Sequence, residues 1–397
     1  MPEKRLVTVI YTDIGRGHPN YLDSVLRHLE HNHPAQYRNM RITSIFEISS
    51  GMSFLAWKAV EKMYKFGARG GVISSIYSRF RSGQSEYNPN SMIVRILRRD
   101  LLWYLNGNEG VCLVAHPLLA NMLREQHRVF YLHGEIAAPR ESAVTGIERV
   151  YVPLPETLEK MLDAGVDRNS LVATGLVLEP ELCADLSEVA RKRTERIDAP
   201  DFPLTVGFFI SGAYPKKHVE LMLKGAESLH HAGHKVRFFW GRDKRKAEKL
   251  MLNIRRFDQH VKLDAGGTKP LSDVSTVVVT GKSRTDETIR SLRYLPELDL
   301  FCAAPHERVN WAVGAGLPII MITPTIGTFA PENLDFVLRS KCGIEWSDEQ
   351  DFIQLADILS KLRHSGRLPN MVTAGRRIKS VNGAKTIAED LIAAFET

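Results

Sequence analysis

The sequence predicts an α/β protein made of two doubly wound domains, each with a parallel sheet, facing one another across a cleft. Three observations carry that prediction. Short apolar β-runs alternate with amphipathic helical stretches. The alternation starts afresh after a charged, proline-punctuated stretch at 184–203. The length, 397 residues, corresponds to two or three domains at about 150 residues each.

Taken in order, Leu6–Thr12 (LVTVIYT) is a buried β-run. It is followed by a turn from Asp13 to His18 and a helix from Tyr21 to Glu30. Ile42–Glu47, Val111–Ala115 and Val129–Leu132 are further strands, and Val150–Pro153 opens another β-loop-α unit. Residues 1–185 form the first domain and 186–203 the linker. The second series has strands Leu204–Ile210, Val236–Trp240, Val277–Val279, Leu300–Ala303 and Pro318–Ile322, with helices Val219–Ala232 and one running to Phe257. The second domain is 204–375. Residues 376–397 form a tail whose helix, Asn382–Phe395, is a candidate to return to the first domain. Strands joined by helices imply parallel sheets covered on both faces, with ligands beyond the carboxyl ends of the strands.

Composition excludes several classes. Hydrophobic residues make up 44% and charged residues 25%, the balance of an ordinary globular chain rather than a disordered or fibrous one. No apolar run approaches the roughly 18 residues of a spanning helix, and the strongest is Leu317–Ile322. The opening MPEKRLVTVIYTDIGRGH enters a strand without the apolar core of a signal peptide, so a cytoplasmic protein is expected. Cys112, Cys183, Cys302 and Cys342 form no CxxC pair and read as small core residues rather than a disulfide or zinc framework. No metal-ligand, P-loop, HExxH or GxSxG pattern is present.

The net charge of +7 is local: nine basic residues against Glu61 and Glu86 lie between Lys58 and Arg99. Lys58, Lys62, Lys65 and Arg69 follow an i, i+4, i+7, i+11 pattern, and Trp57, Val60 and Tyr64 occupy a neighbouring face. Such a helix suits an anionic membrane surface, and equally a solvated helix whose apolar side packs inward. Zinc-finger, RRM-type and helix-turn-helix signatures are absent, so no nucleic-acid partner is expected.

Several motifs in order resemble the GT-B glycosyltransferases, especially the branch of the monogalactosyldiacylglycerol synthases and the MurG-type peptidoglycan glycosyltransferase. The loop-helix DIGRGHPNYLDSVL resembles that branch's glycine-rich loop ending in His. LVAHPLLANML resembles its "HP" strand-loop, and VYVPLPETLEKMLDAGVDRNSLVATGLVLEP the stretch closing its first domain. AVGAGLPIIM and PENLDFVLRSKCG resemble the donor-side helix and strand and the Asn-containing helix, while 52–81 falls at the membrane-docking and acceptor region. The resemblance covers most of the chain and implies Rossmann-like domains. Its departures concern the donor: Trp311 stands where a Glu holds the ribose, and Phe329 and Ala330 where Gln-Glu grips the sugar.

Glycosyl transfer needs a base for the acceptor hydroxyl and groups that stabilise the departing diphosphate. The resemblance assigns the first task to His18 or Asp13, with His133 or Glu135 as replacements for a nearby family Asp; His116 can shape the same cleft. Asp13 as a cap, His18 as a loop residue and His133 in a buried polar network are the structural alternatives. Gly15 and Gly17 let the backbone approach a ligand. On the donor side Ser211 and Gly212 stand at the diphosphate loop, and His306, Glu307, Arg308, Glu332 and Asn333 are candidate contacts to the nucleotide or sugar. Membrane or acceptor contacts are expected from Trp57, Lys58, Lys62, Tyr64, Lys65 and Arg69.

The resemblance therefore implies a metal-independent, hexosyltransferase-like enzyme, peripheral on the inner membrane face. It would move sugar from a nucleotide-sugar substrate to a lipid or other amphipathic hydroxyl, without a cofactor. The alternatives are an NDP-sugar hydrolase or epimerase, a transferase with a soluble acceptor, or a degenerate nucleotide- or lipid-binding module.

Overall fold

The computed structural model describes residues 7–12, 14, 17–67, 88–210, 215–306, 308–377 and 380–396, with backbone alone at 64–67 and 396. The chain divides into two compact units. The first runs up to Cys183 and adds Gly327–Glu332 and the stretch from Ser380 on; the second holds Ala184–Ile326 and Asn333–Lys379.

The first unit is built on β1 (Thr8–Tyr11), β2 (Arg41–Ser44), β3 (Val111–Val114), β4 (Arg128–Leu132), β5 (Arg149–Val152) and β6 (Leu171–Ala173). Their order across the sheet is β2-β1-β3-β4-β5-β6, and all five pairings are parallel. The β1 and β3 runs are buried along their whole length because helices cover both faces, which is why they read as continuous apolar segments. One face packs against the helix Gly17–Asn32 through Tyr21, Leu22, Val25 and Leu29, and against the last helix, Gly383–Glu396, through Ile387, Ala388 and Leu391. The other packs on Trp57, Leu97, Leu101 and Leu119.

The strand expected over Ile42–Glu47 ends at Ser44, and Ile45–Ile48 is helical. The cause is a capping box. The Ser44 hydroxyl accepts from the Phe46 N–H, and the Glu47 carboxylate accepts from the Ser44 N–H at 2.9 Å. Apolar content alone favoured a strand there; two side-chain caps stabilise a turn of helix instead.

The second unit contains β7 (Thr205–Phe209), β8 (Lys235–Gly241), β9 (Lys262–Asp264), β10 (Thr276–Thr280), β11 (Leu300–Ala303), β12 (Ile319–Ile322) and β13 (Gly343–Trp346). These pair in the order β13-β12-β11-β7-β8-β10-β9, again all parallel. One face of β7 contributes Val206 and Phe208 to the larger core cluster. On the other face, Phe209 stacks on Phe239 at 4.2 Å and on Phe301 at 4.7 Å between ring centroids.

Residues 186–203, expected as a linker, hold the helix Leu186–Asp198, which packs into the second unit. Ala190, Arg193 and Ile197 recur at helical spacing and are buried. The Arg193 side chain is fully enclosed and forms no ion pair among the described residues. It donates instead to the carbonyls of Leu298 (2.8 Å), Ala315 and Gly316 (3.2 Å). Burial lowers its pKa to about 9. The carbonyls of Leu298 and of Ala315–Gly316 lie at the ends of neighbouring segments, so one guanidinium ties together two backbone turns.

The helix Gly51–Gly67 does not present Trp57 to solvent, and this corrects the expected membrane-facing role of that residue. The indole is fully buried and donates to the Leu97 carbonyl at 3.1 Å, against the helix Met92–Tyr104. Replacing Trp57 by Ala should lower stability by about 3–5 kcal/mol, because a large cavity results and the indole's hydrogen bond is lost. The exposed Trp103, changed to Ala, should stay within about 0.5 kcal/mol of the parent. Urea unfolding of the two variants gives the comparison.

Candidate functional site

In a doubly wound sheet the chain leaves neighbouring strands toward opposite faces at one point, and the carboxyl ends there bound a crevice. The first sheet reverses between β1 and β3, the second between β7 and β11. Among the described residues, His18 and His116 lie at the first place and Arg308 at the second.

At the first, His18 opens the helix following β1, and His116 follows β3 as the N-cap of Pro117–Leu123. The two imidazoles meet edge to face, 5.0 Å apart between centroids. The His116 Nδ1 accepts from the Leu118 N–H at 3.1 Å, which fixes its remaining proton on Nε2. His133 follows β4 and is fully buried. Its Nδ1 lies 3.2 Å from the Tyr131 hydroxyl and its Nε2 2.9 Å from the Ala137 carbonyl. Burial pushes its pKa down to about 4, so the ring is neutral near pH 7. Glu135 is buried close by. Gly134 between them is required: a Cβ there would lie 2.3 Å from the Tyr21 ring.

The segment Gly327–Glu332 completes this end of the first unit. Phe329, half-buried, stacks on His133 and meets His18 edge-on, each at 6.4 Å. Glu332 accepts from the Ala138 N–H at 3.1 Å and from the Lys160 ammonium at 2.5 Å. His18 and His116 are both partly exposed, and His18 is the one that also meets Phe329. Lys160 and Tyr21 were not singled out in the sequence; both lie far along the chain from the residues they touch.

At the second switch point Arg308 is nearly buried. It donates to the Glu287 carboxylate at 3.1 Å, and its guanidinium lies over Phe209 (5.4 Å) and Trp311 (5.8 Å). Its charge is therefore already matched. Trp311 is buried against Phe209 at 5.4 Å, where an apolar indole suits the aromatic stack better than a carboxylate would. Asn333 is fully buried and donates to the Pro305 carbonyl at 3.3 Å, bracing the turn that carries His306. His218, another residue passed over in the sequence, sits in the first turns of the helix Lys216–His231, 3.2 Å from the Pro324 carbonyl. Burial, with neighbouring His306, pushes its pKa down to about 4. A helix directly after the first strand of a doubly wound domain is the positional signal that would have found it.

Asp13, Gly15, Ser211, Gly212, Glu307 and Arg69 lie outside the described residues, as do the side chains of Tyr64 and Lys65. Gly17 is the first residue of its helix. Among the described residues, no group of three or more His, Cys, Asp or Glu is arranged to hold a metal ion. Lys58 pairs with Glu61 at 2.9 Å and lies over the Phe46 ring at 4.2 Å; Lys62 is exposed.

No protein-family model matches the chain, and no curated protein does. Solved structures match it over nearly its whole length. A UDP-GlcNAc 2-epimerase from Neisseria meningitidis bound to UDP-GlcNAc is 14% identical with a TM-score of 0.53, covering 98% of this chain and 99% of that one. CalG4, the calicheamicin glycosyltransferase, is 12% identical with a TM-score of 0.56 and 99% coverage of both chains. MurG from Acinetobacter baumannii is 12% identical with a TM-score of 0.52, covering 98% and 99%. The chain has the GT-B fold. At these identities the GT-B likeness concerns the fold and leaves the chemistry to the residues.

The two buried imidazoles set an acid limit on the GT-B units. An unfolded imidazole takes up its proton near pH 6.5. With folded pKa values near 4 for His133 and His218, the unfolded state binds more protons between pH 6.5 and about 4. Stability is therefore complete above that window and falls as pH drops through it, each ring contributing about 1.4 kcal/mol per pH unit. Urea titrations at successive pH values should give His133→Phe and His218→Asn slopes each smaller than the parent's by about one proton.

Proposed function

We propose that this chain is a nucleotide-sugar-dependent glycosyltransferase that acts on an amphipathic acceptor at a membrane surface, in the manner of the monogalactosyldiacylglycerol synthase and MurG branch. The observation that carries the reading is the placement of His18. It stands at the first switch point beside His116, partly exposed at the start of the helix that follows β1, while His133 is fully buried with both ring nitrogens engaged.

In this reading His18 takes the proton of the acceptor hydroxyl as the sugar carbon is attacked. His116 and Phe329 hold the imidazole from two sides. Buried, neutral His133 shapes the wall and does not compete for the proton. The donor belongs at the carboxyl ends of β7 and β11, near His306, Arg308 and Asn333. The matched charge of Arg308 makes it a support for that site more than a direct phosphate contact. Glu135 and Glu332 remain candidate contacts, and the roles proposed for Asp13, Ser211, Gly212 and Glu307 rest on the sequence alone.

The membrane part of the reading moves from Trp57 to other residues. On the helix Met92–Tyr104, Met92, Arg95, Arg99 and Trp103 recur at i, i+3, i+7 and i+11 and are exposed. Trp103 is 80% exposed. An indole, a methionine and two guanidinium groups on one stripe suit an interface with anionic lipid, where a Trp sits at headgroup level and each Arg contributes about 1 kcal/mol. Met52, Leu55, Met63 and Lys62 are exposed on the helix Gly51–Gly67. No described helix is long and apolar enough to cross a membrane.

The second reading, epimerisation or hydrolysis of the donor alone, is supported by epimerase structures that superpose over the whole chain as closely as transferases do. A panel of UDP-, GDP- and dTDP-sugars, offered with and without a lipid extract, separates the two. Transfer requires the extract and yields a labelled lipid, and His18→Ala should lower kcat by about a hundredfold to ten-thousandfold with donor affinity kept. Donor turnover without acceptor establishes the second reading. On phosphatidylglycerol vesicles, an Arg95→Glu, Trp103→Ala double variant should pellet several-fold less than the parent.

A further inference from the structure

The free edge of the second sheet carries a feature that the proposed reaction does not use. β13 is an edge strand: it pairs with β12 on one side and with no described strand on the other. The Ile319 N–H donates to the Cys342 carbonyl and the Thr323 N–H to the Trp346 carbonyl. Backbone groups alternate in direction along a parallel strand, so those of Gly343 and Glu345 face the open side. That side is a groove of about 670 Å³, lined by Leu338 from the helix on one face of the sheet and by Ile358, Leu362 and Met371 from helices on the other. A cavity that touches both covering layers and the strand between them lies along the edge itself, with the strand recessed.

Natural edge strands are short, charged or covered, because bare N–H and C=O groups invite another chain. This one is short and lies open between apolar walls. Two exposed cations, Lys341 and Arg367, stand on its rim, and neither has an ion-pair partner among the described residues. The one rim carboxylate, Glu345, accepts from the Thr323 hydroxyl at 3.1 Å. A second copy of the chain would bring an equally recessed edge, and the covering helices of the two copies would meet before the strands did. A single extended segment does not have this difficulty. The four residues of β13 span about 13 Å, enough to pair with four or five residues of a slender partner at roughly 3.3 Å each.

We propose that this groove is a docking site for an extended acidic segment of a partner protein, which adds to the sheet as a further strand. Its backbone meets the outward groups of Gly343 and Glu345, alternate apolar side chains enter the groove, and its carboxylates reach Lys341 and Arg367.

The test uses the full chain and three fluorescein-labelled hexapeptides: alternating Glu and Val, the same with Lys for Glu, and the acidic one with a central Pro. Fluorescence polarisation should show saturable binding of the acidic peptide at micromolar to millimolar concentration. The Lys and Pro versions should bind at least about tenfold more weakly, a difference of about 1.4 kcal/mol. Lys341→Glu with Arg367→Glu should weaken the acidic peptide to a similar degree. Glu345→Pro removes an outward N–H that serves no ladder, so the fold tolerates it and binding falls. Bound peptide should slow hydrogen exchange at the Glu345 amide. Equal binding of the acidic and basic peptides, unchanged binding by Glu345→Pro, or no saturable binding at millimolar concentration overturns the proposal. A dimer of the free chain that Glu345→Pro dissociates also overturns it, by assigning the edge to a second copy.

Discussion

Parallel pairing throughout both sheets is the constraint on which the rest of this molecule depends. A parallel strand cannot be reached by a tight turn, so each connection crosses a face of the sheet and covers it. Covered on both faces, the strands must be apolar along their whole length, and β3 is VCLV while β10 is TVVVT. All carboxyl ends then point the same way. His18 and His116 meet, and Phe329 touches both His18 and His133, although the three histidines lie on separate segments, because each follows a strand of the same parallel sheet. The same geometry brings the turn before Arg308 to the end of β7.

Covering both faces also encloses charge, and the second unit shows how that is tolerated. Arg193 is met by carbonyls, Arg237 by Glu297 at 2.6 Å and by carbonyls, and Asp299 by Arg196 at 2.7 Å and by the Thr205 N–H. Removing water from a charge costs several kcal/mol unless every donor or acceptor finds a partner. These groups find most of theirs at strand and helix ends, where backbone groups are otherwise left over, and one terminal nitrogen of Arg193 is left unmet. They define the angles at which connections leave the sheet more than they add net stability, and the switch point by Arg308 and Glu287 is built the same way.

The alternation of elements was legible because periodicity is local: the strands at Val111, Val129, Val150, Val277 and Leu300 lie where an apolar run signals them. The candidate histidines were legible for a positional reason, since each follows such a run. What escaped depends on partners distant in sequence. The faces of the helix Gly51–Gly67 are visible in its spacing, but which face is covered depends on Leu97, so Trp57 read as a surface residue. Glu332 reads as a free carboxylate until Lys160, 172 residues away, is brought beside it. Arg308 reads as an open cation until Glu287 meets it. Ser44 and Glu47 form the local exception, where a capping signal was outweighed by apolar content.

The last helix has a consequence for how the chain is made. Ile387, Ala388 and Leu391 are fully buried against the sheet that begins at Thr8. A ribosome releases these residues after those of the second unit, so the first unit waits through that synthesis with one face of its sheet covered only in part, by the helix Gly17–Asn32. The second unit is complete by Lys379 and can fold while the chain is still tethered. The residues of the second unit are therefore all released before the last helix of the first, and through that interval Val9, Leu113 and Tyr151 lack their final cover.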